Sequence, residues 1–214
     1  MYPWITHTWN TVKGRCPHGC SYCYMNRWGS LRPVRFDTKE LKTDLGEGNF
    51  VFVGSSCDLF ASSIPDEWIE KTLVKCQGYS NRFLFQSKNP FRMAAFLSKD
   101  LLNRPFVCCT TLETNRWYPS VMYNSPTPTQ RVEGMSSLPA TISRYVTIEP
   151  ILDFDLVSFV GMIQSIGPAQ VNIGADSGNN NLPEPSAGKV YDLIEELSRF
   201  TTIARKSNLG RLLS

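Results

Sequence analysis

The stretch FVFVGSSCDLFASSIPDEWIEKTLVKCQGYSNRFLF, residues 50–85, decides how the chain is read. It opens on Phe50–Val53, four residues of the aromatic and β-branched types that favour strands. Gly54, Ser55 and Ser56 end that run. Pro65, Asp66 and Glu67 then start a helix over Asp66–Cys76, because proline fits a first turn and acids favour its positive end. Trp68, Ile69, Leu73 and Cys76 recur at helical spacing and share one buried face. Phe83–Phe85 is the next strand. Strand, helix and strand in this order make a βαβ unit with parallel pairing.

The same rhythm runs outward in both directions. Thr8–Val12 is the strand before, and after it come a helix over Pro90–Leu102 and strands over Phe106–Thr110 and Tyr145–Ile148. A helix over Leu156–Ile166, a strand over Val171–Ile173 and a helix over Lys189–Phe200 follow, and Thr201–Ala204 completes a candidate seventh strand. Between them Thr114–Gln130 carries Pro119, Pro126 and Pro128 with little periodicity, and reads as a long irregular loop suited to a lid. Six or seven units fall short of the eight that close a barrel. The predicted fold is therefore α/β: a partial, open TIM-like β/α barrel with six or seven parallel strands, formed by residues 1–214 as one domain. An open doubly wound sheet is the second option. Either places the active site at the carboxyl ends of the strands, where Ser55, Ser56, Asp58, Lys88, Thr111, Glu113, Glu149 and Asp176 stand.

Composition narrows the classes. At 214 residues and 42% hydrophobic the chain can bury a substantial core. A net charge of +3, without a basic block, only weakly favours an anionic partner. Met1–Asn10 has neither the basic start nor the apolar middle of a signal peptide, and no apolar run reaches the roughly 20 residues that span a bilayer. A cytoplasmic protein without membrane contact is expected, with its seven cysteines reduced and metal ligation their default use.

Three of those cysteines form the strongest local signal: Cys16-Pro-His-Gly-Cys20-Ser-Tyr-Cys23, directly after the first strand. Thiolates are soft ligands for iron–sulfur clusters and for zinc. A cubane cluster normally takes four thiolates, so three leave one iron open to a small molecule. Pro17 and Gly19 let the loop fold round a compact object. Zinc, closed by His7 or His18, is the alternative, although zinc sites usually pair two short ligand clusters. Cys76, Cys108 and Cys109 lie in a helix and a strand and read as core.

This loop, with Tyr22 before its last cysteine, resembles the motif of the radical S-adenosylmethionine (SAM) superfamily. The segments VFVGSSCDLFASSIPDEWI (51–69), FLFQSKNP (83–90), TTLE (110–113), RYVTIEPIL (144–152) and NIGADSG (172–178) further resemble the phage-associated Gp37/Gp68-like (DUF5131-type) family, which is similar to spore photoproduct lyase. The resemblance implies a [4Fe–4S] cluster on Cys16, Cys20 and Cys23, with SAM chelating the open iron. It implies an external electron donor and reductive cleavage of SAM to a 5′-deoxyadenosyl radical. It assigns Ser55 and Ser56 to the methionine amino group, Lys88 to the carboxylate, Thr111 and Glu113 to the ribose, and Tyr22, with Tyr24, to the adenine. Glu149 and Asp176 would face substrate, or would pair for structural reasons with Lys88, Arg144 or Lys206. Cys57 would donate a hydrogen atom, or would be a small buried residue. A nucleic acid is the implied substrate class, and a large substrate or a partner protein would complete the site. Two readings of other classes stay open: a zinc-stabilised binding module, and a non-catalytic iron–sulfur electron-transfer or sensor protein with Cys57 as fourth ligand.

Overall fold

The computed structural model describes residues 2–97 and 105–214. In chain order its elements begin with β1 (His7–Trp9), β2 (Val12–Lys13), β3 (Arg35–Phe36), β4 (Phe50–Val53), α1 (Asp66–Gln77), β5 (Arg82–Gln86), α2 (Pro90–Leu97) and β6 (Phe106–Thr111). There follow α3 (Pro119–Met122), α4 (Pro128–Ser136), β7 (Ser143–Ile148), α5 (Leu156–Ile166), β8 (Gln170–Ile173), α6 (Ala187–Ser198), β9 (Thr202–Arg205) and α7 (Gly210–Leu213). The last residues of the helix expected over Pro90–Leu102 lie outside the described residues.

Seven strands form one parallel sheet in the order β1-β4-β5-β6-β7-β8-β9. β1 and β9 are its edges, so the sheet does not close. Spatial order follows chain order, and right-handed crossovers then place every connecting helix on one face. This is the open, partial TIM-like barrel; the doubly wound alternative, which needs a reversal of strand order, is excluded.

The two faces differ. On the helix side Val51, Val53, Phe83, Phe85, Cys108, Val146, Ile148, Val171 and Ile173 pack with residues of α1, α2, α4, α5 and α6 in one apolar core. On the inner face Leu84, Val107 and Cys109 meet Tyr2, with Trp4, Phe50, Phe52 and Tyr145 around them. Tyr2 stacks on Trp4 at 4.8 Å, and Trp4 meets Tyr145 edge-on at 5.7 Å. The amino-terminal segment therefore plugs the concave side of the sheet, where no helix covers it.

Two expectations are corrected. The first strand ends at Trp9, not Val12, because the Asn10 side chain accepts from Ser56 N at 2.9 Å and Ser55 Oγ at 3.2 Å while Val12 leaves to pair with Phe36. The proline-rich segment is not irregular: it contains α3 and the start of α4. Pro128 occupies the first turn of α4, and Thr127 and Gln130 cap each other's backbone reciprocally. Among the described residues no helix is long and apolar enough to cross a membrane.

Candidate functional site

Residues 12–36 leave the sheet after β1 as an arm, closed at its base by the β2–β3 pairing and by Arg15 N donating to Arg32 O at 2.8 Å. Gly14, at φ +106°, lets the two sides approach; a Cβ there would meet Pro33 O at 2.4 Å. The arm holds the cysteine loop. Gly19 N donates to Cys16 O at 3.2 Å and Cys23 N to Cys20 O at 3.1 Å, folding the loop into two tight turns. The α3 segment clamps it from outside: Ser21 N donates to Val121 O at 3.0 Å, Asn124 N to His18 O at 3.1 Å and Asn124 Nδ2 to Pro17 O at 3.3 Å. The supposed lid is thus a brace on the loop.

Asp58, just past β4, ties the loop to the sheet. Its Oδ2 accepts from His18 Nε2 at 2.7 Å, Lys88 N at 2.8 Å and Ser87 Oγ at 3.0 Å, and its Oδ1 from Phe60 N at 2.9 Å. Burial alone would raise the Asp58 carboxyl, but the His18 charge and these donors hold it below its ordinary value. Burial likewise opposes the charge on His18, and Asp58 outweighs it, so His18 titrates above its usual value.

The three loop thiols sit in one electrostatic neighbourhood. The neighbouring Cys57 brings Cys16 down to about 6, while Cys57 itself is pushed up. Cys57 is 2% exposed. Burial raises Cys23, against the charge of Lys88. Lys88, half-buried at the end of β5, lies over the Tyr22 ring at 5.3 Å. Burial disfavours its charge, but Cys20 and Glu113 more than restore it. No hydrogen bond or ion pair to its ammonium is made among the described residues.

Behind Lys88 the charges are closed on one another. Glu113 and Arg131 are both 0% exposed and pair at 2.7 Å. Tyr22 donates its hydroxyl to the other Glu113 oxygen. Arg131 also donates to Thr111 O at 2.9 Å, Ser125 Oγ at 2.9 Å and Pro126 O at 2.7 Å, so all three of its nitrogens and both oxygens of Glu113 are hydrogen-bonded. Burial would raise Glu113, but Arg131 and Lys88 pull it below its ordinary value. Thr111 Oγ1 accepts from Gln86 Nε2 at 3.1 Å on the inner face. Ser55 O accepts from Tyr24 OH at 2.8 Å, and the Ser56 hydroxyl makes no hydrogen bond among the described residues.

The far side of the mouth holds a second cluster. Glu149 pairs with Lys206, whose ammonium also lies over the Tyr2 ring at 4.7 Å, and accepts from Asn208 Nδ2 at 2.9 Å. Gly174 makes room for it, since a Cβ there would meet Glu149 Oε1 at 2.8 Å. Asp176 takes a different role, accepting from Gly178 N at 3.0 Å and from Asn180 N and Nδ2 to shape its own loop. Arg144 joins neither carboxylate; it stands at the amino end of β7 and donates to Ile166 O and Leu138 O. His18, Asn10, Arg131, Tyr2 and Asn208 are the working residues that composition and spacing did not single out for these tasks.

Among the described residues no three His, Cys, Asp or Glu side chains gather round one point that would hold a single metal ion. His7 heads β1 at the opposite end of the sheet from the cysteine loop, and His18 is bonded to Asp58 through Nε2, which leaves its Nδ1. Three thiols on one braced loop, beside a cation without an ion pair among the described residues, fit in donor type and in charge a group that takes one thiolate per iron.

Solved structures show the same fold at low sequence identity. A cysteine-to-alanine mutant of spore photoproduct lyase superposes with a TM-score of 0.64 at 10% identity, covering 95% of this chain and 76% of that one. A cysteine-to-serine mutant gives 0.61 at 12% identity, and this chain spans 63% of that enzyme's length. Streptococcus suis SuiB bound to its precursor peptide SuiA gives 0.61 at 9% identity, covering 95% of this chain and 49% of SuiB. At these identities the likeness shows a shared fold. No curated protein matches the sequence. The family model described as "Protein of unknown function (DUF5131)" matches residues 2–187, and the chain belongs to that family.

Proposed function

We propose that the chain is a radical SAM enzyme in which Cys16, Cys20 and Cys23 hold a [4Fe–4S] cluster and the ends of β4 to β6 hold SAM. The carrying observation is Lys88: half-buried beside the loop thiols, its ammonium lies over the Tyr22 ring and makes no hydrogen bond or ion pair among the described residues. A cation so placed is stabilised by an incoming carboxylate, and SAM brings one. When bound and reduced by an external donor, the cluster would supply the electron that breaks the SAM C5′–S bond and yields a 5′-deoxyadenosyl radical.

The chain's own residues bind, orient and shield. The Ser56 hydroxyl is free to meet the methionine amino group. Glu113, locked to Arg131, fixes the Tyr22 ring and sets the charge around Lys88. Thr111, at the end of β6, serves the ribose. Glu149 and Asp176 line the far side of the mouth, where substrate would lie, and a nucleic acid is the class this reading favours. Cys57 is buried near Cys16, which argues for a supporting role over hydrogen-atom donation. That proximity also keeps a second reading in view: with Cys57 as fourth ligand the site would carry electrons without cleaving SAM.

Anaerobic reconstitution followed by SAM and dithionite separates the two. We expect 5′-deoxyadenosine from the wild type, none from Cys20→Ala, and a SAM KM raised about tenfold in Lys88→Met, the loss of one charge-assisted contact. A fully cluster-loaded wild type that makes no 5′-deoxyadenosine would sink the enzyme reading in favour of the electron carrier.

A further inference from the structure

The positive charge of this chain is concentrated. Between Lys13 and Lys42 lie seven of its 22 Lys and Arg residues but only two of its 19 Asp and Glu residues, so the excess of the whole chain is carried by the arm and the turn after it. Those two acids, Asp37 and Glu40, are both spent on Lys13, at 2.9 and 2.6 Å. Arg15, Arg32 and Arg35 are exposed and have no ion pair among the described residues. Elsewhere on the surface Arg92, Arg116, Arg199 and Arg211 each face a carboxylate. Arg82 and Arg205 are also exposed without an ion pair among the described residues, but the arm gathers three such guanidinium groups within one segment.

Its geometry is built. The β2–β3 pairing and the Arg15–Arg32 backbone bond hold the segments that carry the three arginines side by side. An open cleft of about 330 Å³ is lined by Lys13, Met25, Arg32 and Arg35 of the arm and by Asn10 and Ser56. Ser56 lies three residues beyond β4, at the carboxyl end of the sheet, so the cleft reaches the mouth of the site. Beside the cysteine loop the same arm presents Trp28, 70% exposed, and Tyr24, 43% exposed. Unpaired guanidinium groups with exposed aromatic rings between them are what a strand with unstacked bases requires: charge for the phosphates and flat apolar faces for the bases.

We infer that the arm is a binding surface for single-stranded nucleic acid, holding phosphates on Arg15, Arg32 and Arg35 and a base on Trp28, and leading the strand over Ser56 into the mouth. The inference rests on the enzyme reading only for what the strand is brought to; binding itself needs no cofactor. An acidic protein would need the guanidinium groups but not an exposed tryptophan, and the rings favour the strand.

The test is fluorescence anisotropy of the full chain as isolated, without SAM, on labelled single strands of about 12 nucleotides, DNA and RNA, from about 50 mM salt upward. Binding of either strand is expected, with a log–log salt slope of about −2, the value for three neutralised phosphates on a single strand. Arg32→Glu with Arg35→Glu should weaken it at least tenfold, about 1.4 kcal/mol or more. Trp28→Ala should weaken it about fivefold or more without changing the salt slope. A flat salt slope, charge-reversed protein that binds as well as wild type, or polyglutamate that binds as tightly as the oligonucleotides would each overturn the proposal. Strand binding by a preparation that makes no 5′-deoxyadenosine after reconstitution would leave the surface standing and remove the cofactor reading alone.

Discussion

The two faces of the sheet are built on different physics. On the helix side Val51, Val53, Phe83, Phe85, Val146, Ile148, Val171 and Ile173, with Cys108 on β6, are covered, and the stabilisation is burial of apolar area. The inner face adds to its apolar cluster around Tyr2 a set of covered polar groups that runs to the mouth: Thr111, Thr147, Asn172, Glu113 and Arg131, with Gln86 half-buried, each matched by hydrogen bonds or an opposite charge. Apolar burial tolerates imprecision, whereas a buried polar group without its partner costs the full desolvation penalty. The helix side therefore makes the fold stable, and the mouth makes one arrangement of it obligatory.

The largest effect is expected where that obligation is strictest. Arg131→Met should leave the Glu113 carboxylate buried against Tyr22 and Lys88 alone, costing about 3–5 kcal/mol at neutral pH by chemical denaturation. The sign of its pH dependence is the sharper test. In the wild type Glu113 lies below its unfolded value, so its contribution is present above about pH 4.3 and fades as pH falls through the folded value. With Arg131 gone, the burial that opposes charge gains the upper hand. The deficit of the variant should therefore shrink between pH 7 and about pH 4. A deficit that stays constant would mean the pair contributes packing and not charge.

Next in size is the helix side. Leu193→Ala on α6 removes a side chain that is 0% exposed, and should cost about 2–5 kcal/mol through lost burial and the cavity left behind. That loss should not vary across the same pH range, since the side chain removed is apolar and no Asp, Glu, His or Lys belongs to the core it packs in. Equal pH slopes in the two variants would erase the distinction between the faces.

The same distinction explains what could be read from sequence. The strands of the helix side announce themselves: FVFV and FLF are continuous apolar runs, and β4, β5, β7 and β8 lie within two residues of where those runs predict them. The cysteine loop was legible because three thiols in eight positions have few other uses. Arg131 was not, because its partners Glu113 and Thr111 are 18 and 20 residues away and only the packing of α4 brings them together. The start of α4 did carry a signal in Thr127-Pro128-Thr129-Gln130, a reciprocal capping sequence masked by its prolines. Tyr2 was illegible for a different reason. Nothing local says that a segment ahead of the first strand will turn under the sheet and pack on residues as distant as Thr147.

The smallest effect asks whether the inner face is structure or equipment. Thr147 Oγ1 meets Tyr2 OH at 2.5 Å, Cys109 Sγ at 3.4 Å and Asn172 Nδ2 at 3.3 Å, so one hydroxyl joins three elements. Thr147→Val keeps the shape and removes that hydroxyl. Tyr2 would still donate to Gln86 Oε1 at 2.7 Å, and Asn172 to Val146 O at 3.4 Å. Each partner keeps one bond, which places the expected cost near the low end for a buried hydroxyl, about 1 kcal/mol in chemical denaturation. A loss as large as that of Leu193→Ala would make the network a second core, written in hydrogen bonds. No loss at all would mean that Thr147 is not kept for stability, since valine fills the same volume without a polar atom to satisfy. Its hydroxyl, on the path from the amino-terminal plug to Thr111, would then have its use in what enters the mouth.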